Sequence, residues 1–292
     1  MTISEIQARK RITLSFEVFP PKTDTSLSAT IDVARQLDSL GPDFISVTWG
    51  AGGTTAGRTV EISQRIAALG RPALAHLTCV GSTPETVAST MTSLKAAGVE
   101  NVLALRGDFP ADATSRELHP SLRHASDLCA ILKKEGFCVG AACYPEGHPE
   151  CANRDEDIDN MVVKAEAGAD FLVTQMFFDN NMLYSYLYRL QKRGVRLPVH
   201  AGIMPIVNAK QVARMVRLSN AYVPAKLLSF CDKFADNPSA MRQAGIAYAT
   251  DQIIDLISNG VGGIHLYTMN KPEVTRDIIR NVDAIIGAVN AS

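Results

Sequence analysis

The sequence predicts a closed (β/α)8 TIM barrel within its 292 residues, with an elaborated connection before the eighth strand. Three observations carry that expectation. Eight short apolar runs recur along the chain, mostly at intervals of about thirty residues, the length of a strand, a crossover helix and two turns. The runs are followed by helix-length amphipathic stretches, and Gly41, Gly70, Gly98, Gly136, Gly168 and Gly194 each stand directly after such a stretch, where a left-handed cap is wanted. Within the strands, apolar and polar residues alternate with period two.

The elements follow in order. Residues 1–11 are polar and read as a flexible or helical extension to a single catalytic barrel domain spanning 1–292. In the first run, Ile12–Phe19, Leu14, Phe16 and Val18 alternate with Ser15 and Glu17, and Leu27–Leu40 then places Ile31, Ala34, Leu37 and Leu40 on one helical face. The second run, Asp43–Trp49, repeats the alternation with Ile45 and Val47 against Ser46 and Thr48. Strand runs then continue at Ala73–Val80, Asn101–Gly107, Phe137–Tyr144, Asp170–Phe178 and Pro198–Met204. The intervening helices are expected near Arg58–Leu69, Pro84–Ala97, Ser121–Glu135, Asp155–Ala167, Met182–Arg193 and Ala209–Leu218. The connection from Asn220 to Gly262 holds two further helices, around Ala225–Phe234 and Pro238–Asn259, before the last run at Gly263–Met269. No Ser/Gly/Pro-rich linker or charge block divides the chain.

Composition narrows the classes of function. Lysine and arginine total 29 against 30 acidic residues, a formal net charge of −1, so no polycationic surface points to nucleic acid or to an anionic membrane. The N-terminal residues lack the apolar core of a secretory signal, and no run is long enough to span a bilayer, which leads to the expectation of a cytoplasmic protein. Six cysteines form no CxxC pair. Cys143, His148 and Cys151 crowd together but lack a fourth ligand at a usual spacing, so no metal site is expected.

In a barrel of this kind chemistry sits where strands end, and the alternation brings Glu17, Thr48, His76, Thr78, Arg106 and Gln175 to one mouth. Glu17, in SFEVFPP, is an acidic residue in an otherwise apolar strand. A carboxyl group among apolar neighbours favours its protonated form and suits a general acid, or it serves as a structural partner for a barrel arginine such as Arg106. Asp108, in LRGDFP, is either a second catalytic carboxylate or a cap for the next turn. Arg106 can present a guanidinium to phosphate beside Gly107, which permits close backbone approach, or pair with Glu17 or Asp108. The YPEGHPE loop sets Tyr144 and His148 between two prolines and could hold a planar ligand or be a stiff loop with a solvated histidine. Asp157, Asn160 and Lys164 share one helical face, as ligand contacts or as an ordinary polar surface. The GAGG stretch, Gly50–Gly53, is not GxGxxG and makes a weak case for a Rossmann-type site.

Taken together, SFEVFPPK, DFISVTWGAGG, AHLTCVG, LALRGD, YPEGHPE, TQMFFD, GIMPI and LYTMN resemble, in colinear order, the strand-end motifs of bacterial, single-domain methylenetetrahydrofolate reductases. The resemblance implies a barrel that holds FAD and passes a hydride from NADH or NADPH to 5,10-methylenetetrahydrofolate. The product would be 5-methyltetrahydrofolate for methionine synthesis. By motif, Glu17 would be the acid that protonates the folate amine on ring opening, and Asp108 would lie near flavin and pterin and support the cationic iminium. Gln175 would contact the pterin, and Gln211 and Lys271 the substrates. Thr48, His76, Arg106, Gly107, Asp108, Tyr144, His148, Asp157, Asn160 and Lys164 match flavin-contacting positions. The implied partners are the folate and nicotinamide substrates, with neither nucleic acid nor membrane and with a homo-oligomer compatible.

Five positions depart from the family pattern. Val163 stands where a second basic residue often accompanies Lys164, His124 and Trp49 replace tyrosines, Met215 occupies a position where phenylalanine can stack on the nicotinamide, and Lys271 replaces an arginine. The chain ends soon after the expected eighth helix, so inhibition by S-adenosylmethionine through a C-terminal regulatory domain is not expected. Two other classes compete with the reductase. One is a flavin-free lyase or pterin-handling transferase using Glu17 and Asp108 as acid and base; the other is a folate- or flavin-binding protein without turnover.

Overall fold

In a computed structural model the chain forms a closed, all-parallel barrel in the order β1 to β8, each strand pairing with its neighbours in sequence and β8 pairing with β1. The structure describes residues 1–21, 27–50, 56–109, 118–212, 215 and 221–292. The strands are β1 (Thr13–Val18), β2 (Phe44–Val47), β3 (Ala73–Thr78), β4 (Asn101–Leu105), β5 (Cys138–Cys143), β6 (Phe171–Thr174), β7 (Val199–Ile203) and β8 (Gly263–Tyr267). Each lies inside one of the eight apolar runs and stops one to four residues before the run does. The polar ends of the runs are therefore loop, which places Thr48, Arg106, Asp108, Tyr144 and Gln175 just beyond the hydrogen-bonded barrel.

Helices cover the outside. They are α1 (Ile3–Gln7), α2 (Leu27–Asp38), α3 (Ala56–Ala68), α4 (Pro84–Ala96), α5 (Ala125–Lys134), α6 (Arg154–Glu166), α7 (Asn180–Lys192), α8 (Ala225–Lys233), α9 (Pro238–Ser258) and α10 (Pro272–Ala291). The six glycines expected to stop helices all have φ between 71° and 98°. Helix α5 begins at Ala125 rather than at Ser121, because the Asp127 carboxylate accepts from the backbone of Arg123 and His124 at 2.9 Å and fixes His124 as the cap. The helix expected over Ala209–Leu218 is helical at 209–212 and 215; its other residues, and the GAGG stretch from residue 51 onward, lie outside the described residues. Among those described, no helix is long and apolar enough to cross a membrane.

The period-two alternation sorts the core into two layers. Leu14, Phe16, Ile45, Val47, Ala75, Leu77, Val102, Val139 and Leu172 face the helices in one large cluster. Inside the barrel, Phe44, Leu74, Leu103, Phe171 and Val173 pack with Ile3 of α1. Interior space is rationed by glycine: a Cβ on Gly140 would lie 2.6 Å from the Phe171 ring, and one on Gly202 would lie 2.6 Å from Tyr267. The N-terminal segment plugs the barrel floor, with Ile3 N–H donating to Asn101 Oδ1 at 2.8 Å and Ile6 buried beside it.

Above that plug sits a buried histidine, His200. The Gln7 amide donates to its Nε2 at 2.7 Å, which leaves Nδ1 as the protonated nitrogen, 3.5 Å from the Thr13 hydroxyl. Protonation would set two donors face to face in an apolar interior, and burial pushes the imidazole down to about 3. The unfolded chain takes up that proton near pH 6.5 and the folded chain does not, so stability is lost as pH falls through this window. The expected slope is about 1.4 kcal/mol per pH unit from His200 alone. Denaturant unfolding of His200→Gln between pH 6.5 and 4.5 should show a slope shallower by about that amount; an unchanged slope removes His200 from the acid response.

Candidate active site

A cavity of about 650 Å³ opens at the carboxyl ends of the strands. Its floor is built by inward-facing residues of β1, β3 and β8. Glu17 pairs in register with Ser46 on one side and Tyr267 on the other, and its side chain is 17% exposed, at the base of the opening. Oε2 lies 3.5 Å from Ser46 Oγ, 3.5 Å from His76 Nε2 and 3.6 Å from His265 Nε2. Both imidazole nitrogens are buried without a hydrogen-bond partner of proper geometry, so the carboxylate is approached by two rings and held closely by neither. His265 is in turn tied to Ser15 Oγ by a 2.8 Å hydrogen bond through Nδ1. Burial pushes His76 down to about 4, against the opposing pull of the Glu17 charge. Tyr267 donates to Thr174 O at 2.6 Å and closes the floor on the β6 side.

The walls come from the loops after β4 and β5 and from α6. Gly107 has φ +82°, and a Cβ there would meet Thr78 Cβ at 2.8 Å, so only glycine lets this backbone lie flat against β3. Thr78, expected at the mouth, instead supports Gly107 from below and donates to Val80 O at 2.9 Å, outside the cavity lining. Arg106 pairs with neither Glu17 nor Asp108: it binds the Glu150 carboxylate through both terminal nitrogens, Nη2 at 3.0 Å. That hydrogen bond is the main cause raising its already high pKa. Asp108 is exposed on the wall.

Tyr144 and His148 of the YPEGHPE loop pack edge to face at 4.7 Å, and burial raises the phenol and lowers the imidazole. On α6, Asp157 is buried, Lys164 is half-buried and Asn160 is exposed, and all three line the cavity. Lys164 is not on a solvated face: Nζ donates to Ala142 O at 2.8 Å, and burial lowers its pKa. Asn160 donates to Cys151 Sγ at 3.4 Å. Gln175 lines the cavity and folds its Oε1 back onto the Met176 amide at 2.9 Å.

Twelve of the fourteen site positions read from the sequence thus share one cavity. Gln211 and Lys271 lie apart: Gln211 is in the helical segment that begins at 209, with Oε1 buried and unpartnered, and Lys271 caps α10. Sequence reading missed Glu150, His265 and Tyr267. The last two were within reach, since His265 and Tyr267 share the inward parity of Gly263. Among the described residues no cluster of three His, Cys, Asp or Glu side chains could hold a metal ion, and all six cysteines are free thiols.

A parallel barrel whose mouth combines a carboxyl group on its floor with polar loop walls defines a small-molecule site of the TIM-barrel enzymes. Residues 2–283 match the methylenetetrahydrofolate reductase family, and the chain belongs to it. The 5,10-methylenetetrahydrofolate reductases of Pectobacterium carotovorum and Escherichia coli K12 are 33% and 32% identical to it, each over 94% of this chain and over 90% and 91% of their own lengths. Methylenetetrahydrofolate reductase (NADH) 1 of Arabidopsis thaliana is 32% identical over 97% of this chain but 50% of its own, so the chain spans about half the length of such relatives. A Clostridium thermocellum protein whose structure is described as binding two copies of 5-methyl-5,6,7,8-tetrahydrofolic acid shares the fold, with a TM-score of 0.63, 12% identity and 97% and 98% coverage.

The electrostatics of the floor give a direct test. His76 should stay neutral down to about pH 5 and titrate at about 4, followed by NMR of its ring protons. Because the Glu17 charge raises that value, Glu17→Gln should move the titration lower still; an upward shift would show that Glu17 does not face His76.

Proposed function

We propose that this chain reduces 5,10-methylenetetrahydrofolate to 5-methyltetrahydrofolate, with FAD held at the barrel mouth and NADH or NADPH as reductant, and so supplies methyl groups for methionine synthesis. The observation that carries the reading is Glu17, a lone acidic group at the base of a cavity in a chain of this family. The wall suits a flavin nucleotide. Its volume lies within the roughly 300–1,000 Å³ usual for ligand sites. Gly107 offers bare backbone to a planar group, Arg106 and Lys164 offer cations to a diphosphate, and His76 Nε2 is a buried polar atom awaiting a partner.

FAD, when bound, supplies the hydride chemistry. The protein then orients and protonates. Opening the methylene bridge of the folate needs a proton at the departing nitrogen, and Glu17 is placed to hold one at the floor. Gln175 and Asp108, which both line the cavity, can hydrogen-bond the edge of a pterin and fix its face toward the flavin. Tyr144 and His148 give the wall a rigid aromatic edge, and Arg106, once released from Glu150, can take a phosphate in bidentate fashion.

Purified protein is expected to be yellow and to release FAD on denaturation; colourless protein that cannot be reconstituted with FAD overturns the reading. Glu17→Gln keeps shape and hydrogen bonding while removing the acid. In stopped flow, its flavin should be reduced by NADH or NADPH near the parental rate, but reoxidation by methylenetetrahydrofolate should slow by about a hundredfold or more. Parental rates in both half-reactions would make Glu17 structural.

Glu150 is 61% exposed, so its pair with Arg106 contributes little stability and competes with any phosphate for the guanidinium. Glu150→Gln should bind FAD about two- to tenfold more tightly at low salt, the gain shrinking as salt rises, while Arg106→Ala should bind it more weakly. Equal dissociation constants for the Glu150 variant and the parent would place the phosphates elsewhere.

A further inference from the structure

Behind the cavity wall lies a second, much smaller space between the YPEGHPE loop, α6 and α7. It holds about 10 Å³, roughly the room one water molecule requires, and is lined by Pro145, Gly147, Arg154, Asp157, Tyr186 and Arg189, among others. Two of the residues facing it carry buried polar atoms with no hydrogen-bond partner: Asp157 Oδ2 and Tyr186 OH. Asp157 is 2% exposed and Tyr186 4%, so bulk water does not reach either side chain freely.

The other carboxylate oxygen of Asp157 is engaged. Oδ1 accepts the His148 amide at 3.2 Å and lies 3.9 Å from Cys151 Sγ. Tyr186 OH sits beside the Cys143 thiol and the Tyr144 backbone without a hydrogen bond of proper geometry to either. A buried carboxylate oxygen and a buried phenol left unpaired each carry a desolvation penalty that native interiors relieve with a partner or an ordered water. The chemistry of the walls selects the occupant. Arg154 and Arg189 disfavour a cation, the Asp157 carboxylate disfavours an anion, and the space admits nothing larger than one small neutral molecule.

We infer that a single internal water bridges Asp157 Oδ2 and Tyr186 OH, and that Tyr186 is thereby a positioning residue for the cavity wall. The water donates to the carboxylate and accepts from, or donates to, the phenol. Through Asp157 it holds the His148 amide, and hence the loop carrying Tyr144 and His148, at a fixed distance from α6.

A crystal structure at high resolution is expected to show one ordered water within hydrogen-bond distance of both atoms; an empty space, or a direct contact between the two side chains, overturns the inference. Tyr186→Phe removes one oxygen and leaves the ring in place. In it, hydrogen exchange at the His148 amide, measured on the protein as purified, should be about fivefold faster or more than in the parent. Tyr188→Phe, the same change on a tyrosine that is 60% exposed, should leave that amide unchanged. Unchanged exchange in Tyr186→Phe, or equal acceleration in both variants, assigns Tyr186 no positioning role.

Discussion

The seam between β1 and β8 is the constraint on which the site depends. It closes the barrel, pairing Thr13 with Gly263 through to Glu17 with Tyr267, and it extends past the last paired residues by side-chain bonds. Thr268 Oγ1 donates to Glu17 O at 2.6 Å, and the Asn270 amide both accepts from Phe19 N at 3.1 Å and donates to Phe19 O at 3.0 Å. To reach that geometry Met269 and Asn270 adopt φ of 52° and 54°, a left-handed pair at non-glycine residues that costs of order 1 kcal/mol or more each. The bonds to Phe19 and Glu17 offset that strain. The backbone that aims Glu17 is thus clamped on both sides, by the barrel ladder below and by the LYTMN turn above.

From that seam the interior changes character along the barrel axis. The closed bottom of the barrel is apolar and aromatic, with Phe44, Leu74, Leu103 and Phe171 packed over the α1 plug. Histidines then mark the way upward: His200 against Gln7, His265 against Ser15, and His76 facing Glu17 at the opening. The progression follows from closure. Inward side chains at the closed bottom are sealed by Ile3 and must be apolar or fully partnered, whereas those at the mouth can leave a nitrogen unpaired because a ligand or solvent can meet it.

How much of this could be read from the sequence divides along the same line. Strand periodicity, glycine stops and motif order located the barrel and twelve of the residues that line the cavity, because those signals are local and recur along the chain. Ion-pair choice was not legible. The sequence offered Arg106 two acidic partners, Glu17 and Asp108, and only the path of the YPEGHPE loop over the mouth brings a third, Glu150, to it. Thr78 has the inward parity of His76, yet Gly107 lies over it and takes it out of the cavity. Spacing left Lys164 open between a ligand contact and an ordinary polar surface, and the depth of α6 against β5 buries it on Ala142 O. In each case the missing information is a distance between elements far apart in sequence.

The departures from the family pattern fall where they disturb the floor least. Val163 is an exposed wall residue beside Lys164, and His124 caps α5 at the rim of the same wall. Met215 is buried in a separate apolar cluster with Met176, Phe178 and Ile206, over the β6 and β7 side of the mouth. Trp49 packs on the outer core with its indole nitrogen buried and unpartnered. Lys271 begins α10, past the Thr268 and Asn270 clamp. None of the five touches the contacts that Glu17 makes with Ser46, His76 and His265. The substitutions therefore leave Glu17 and the side chains around it intact.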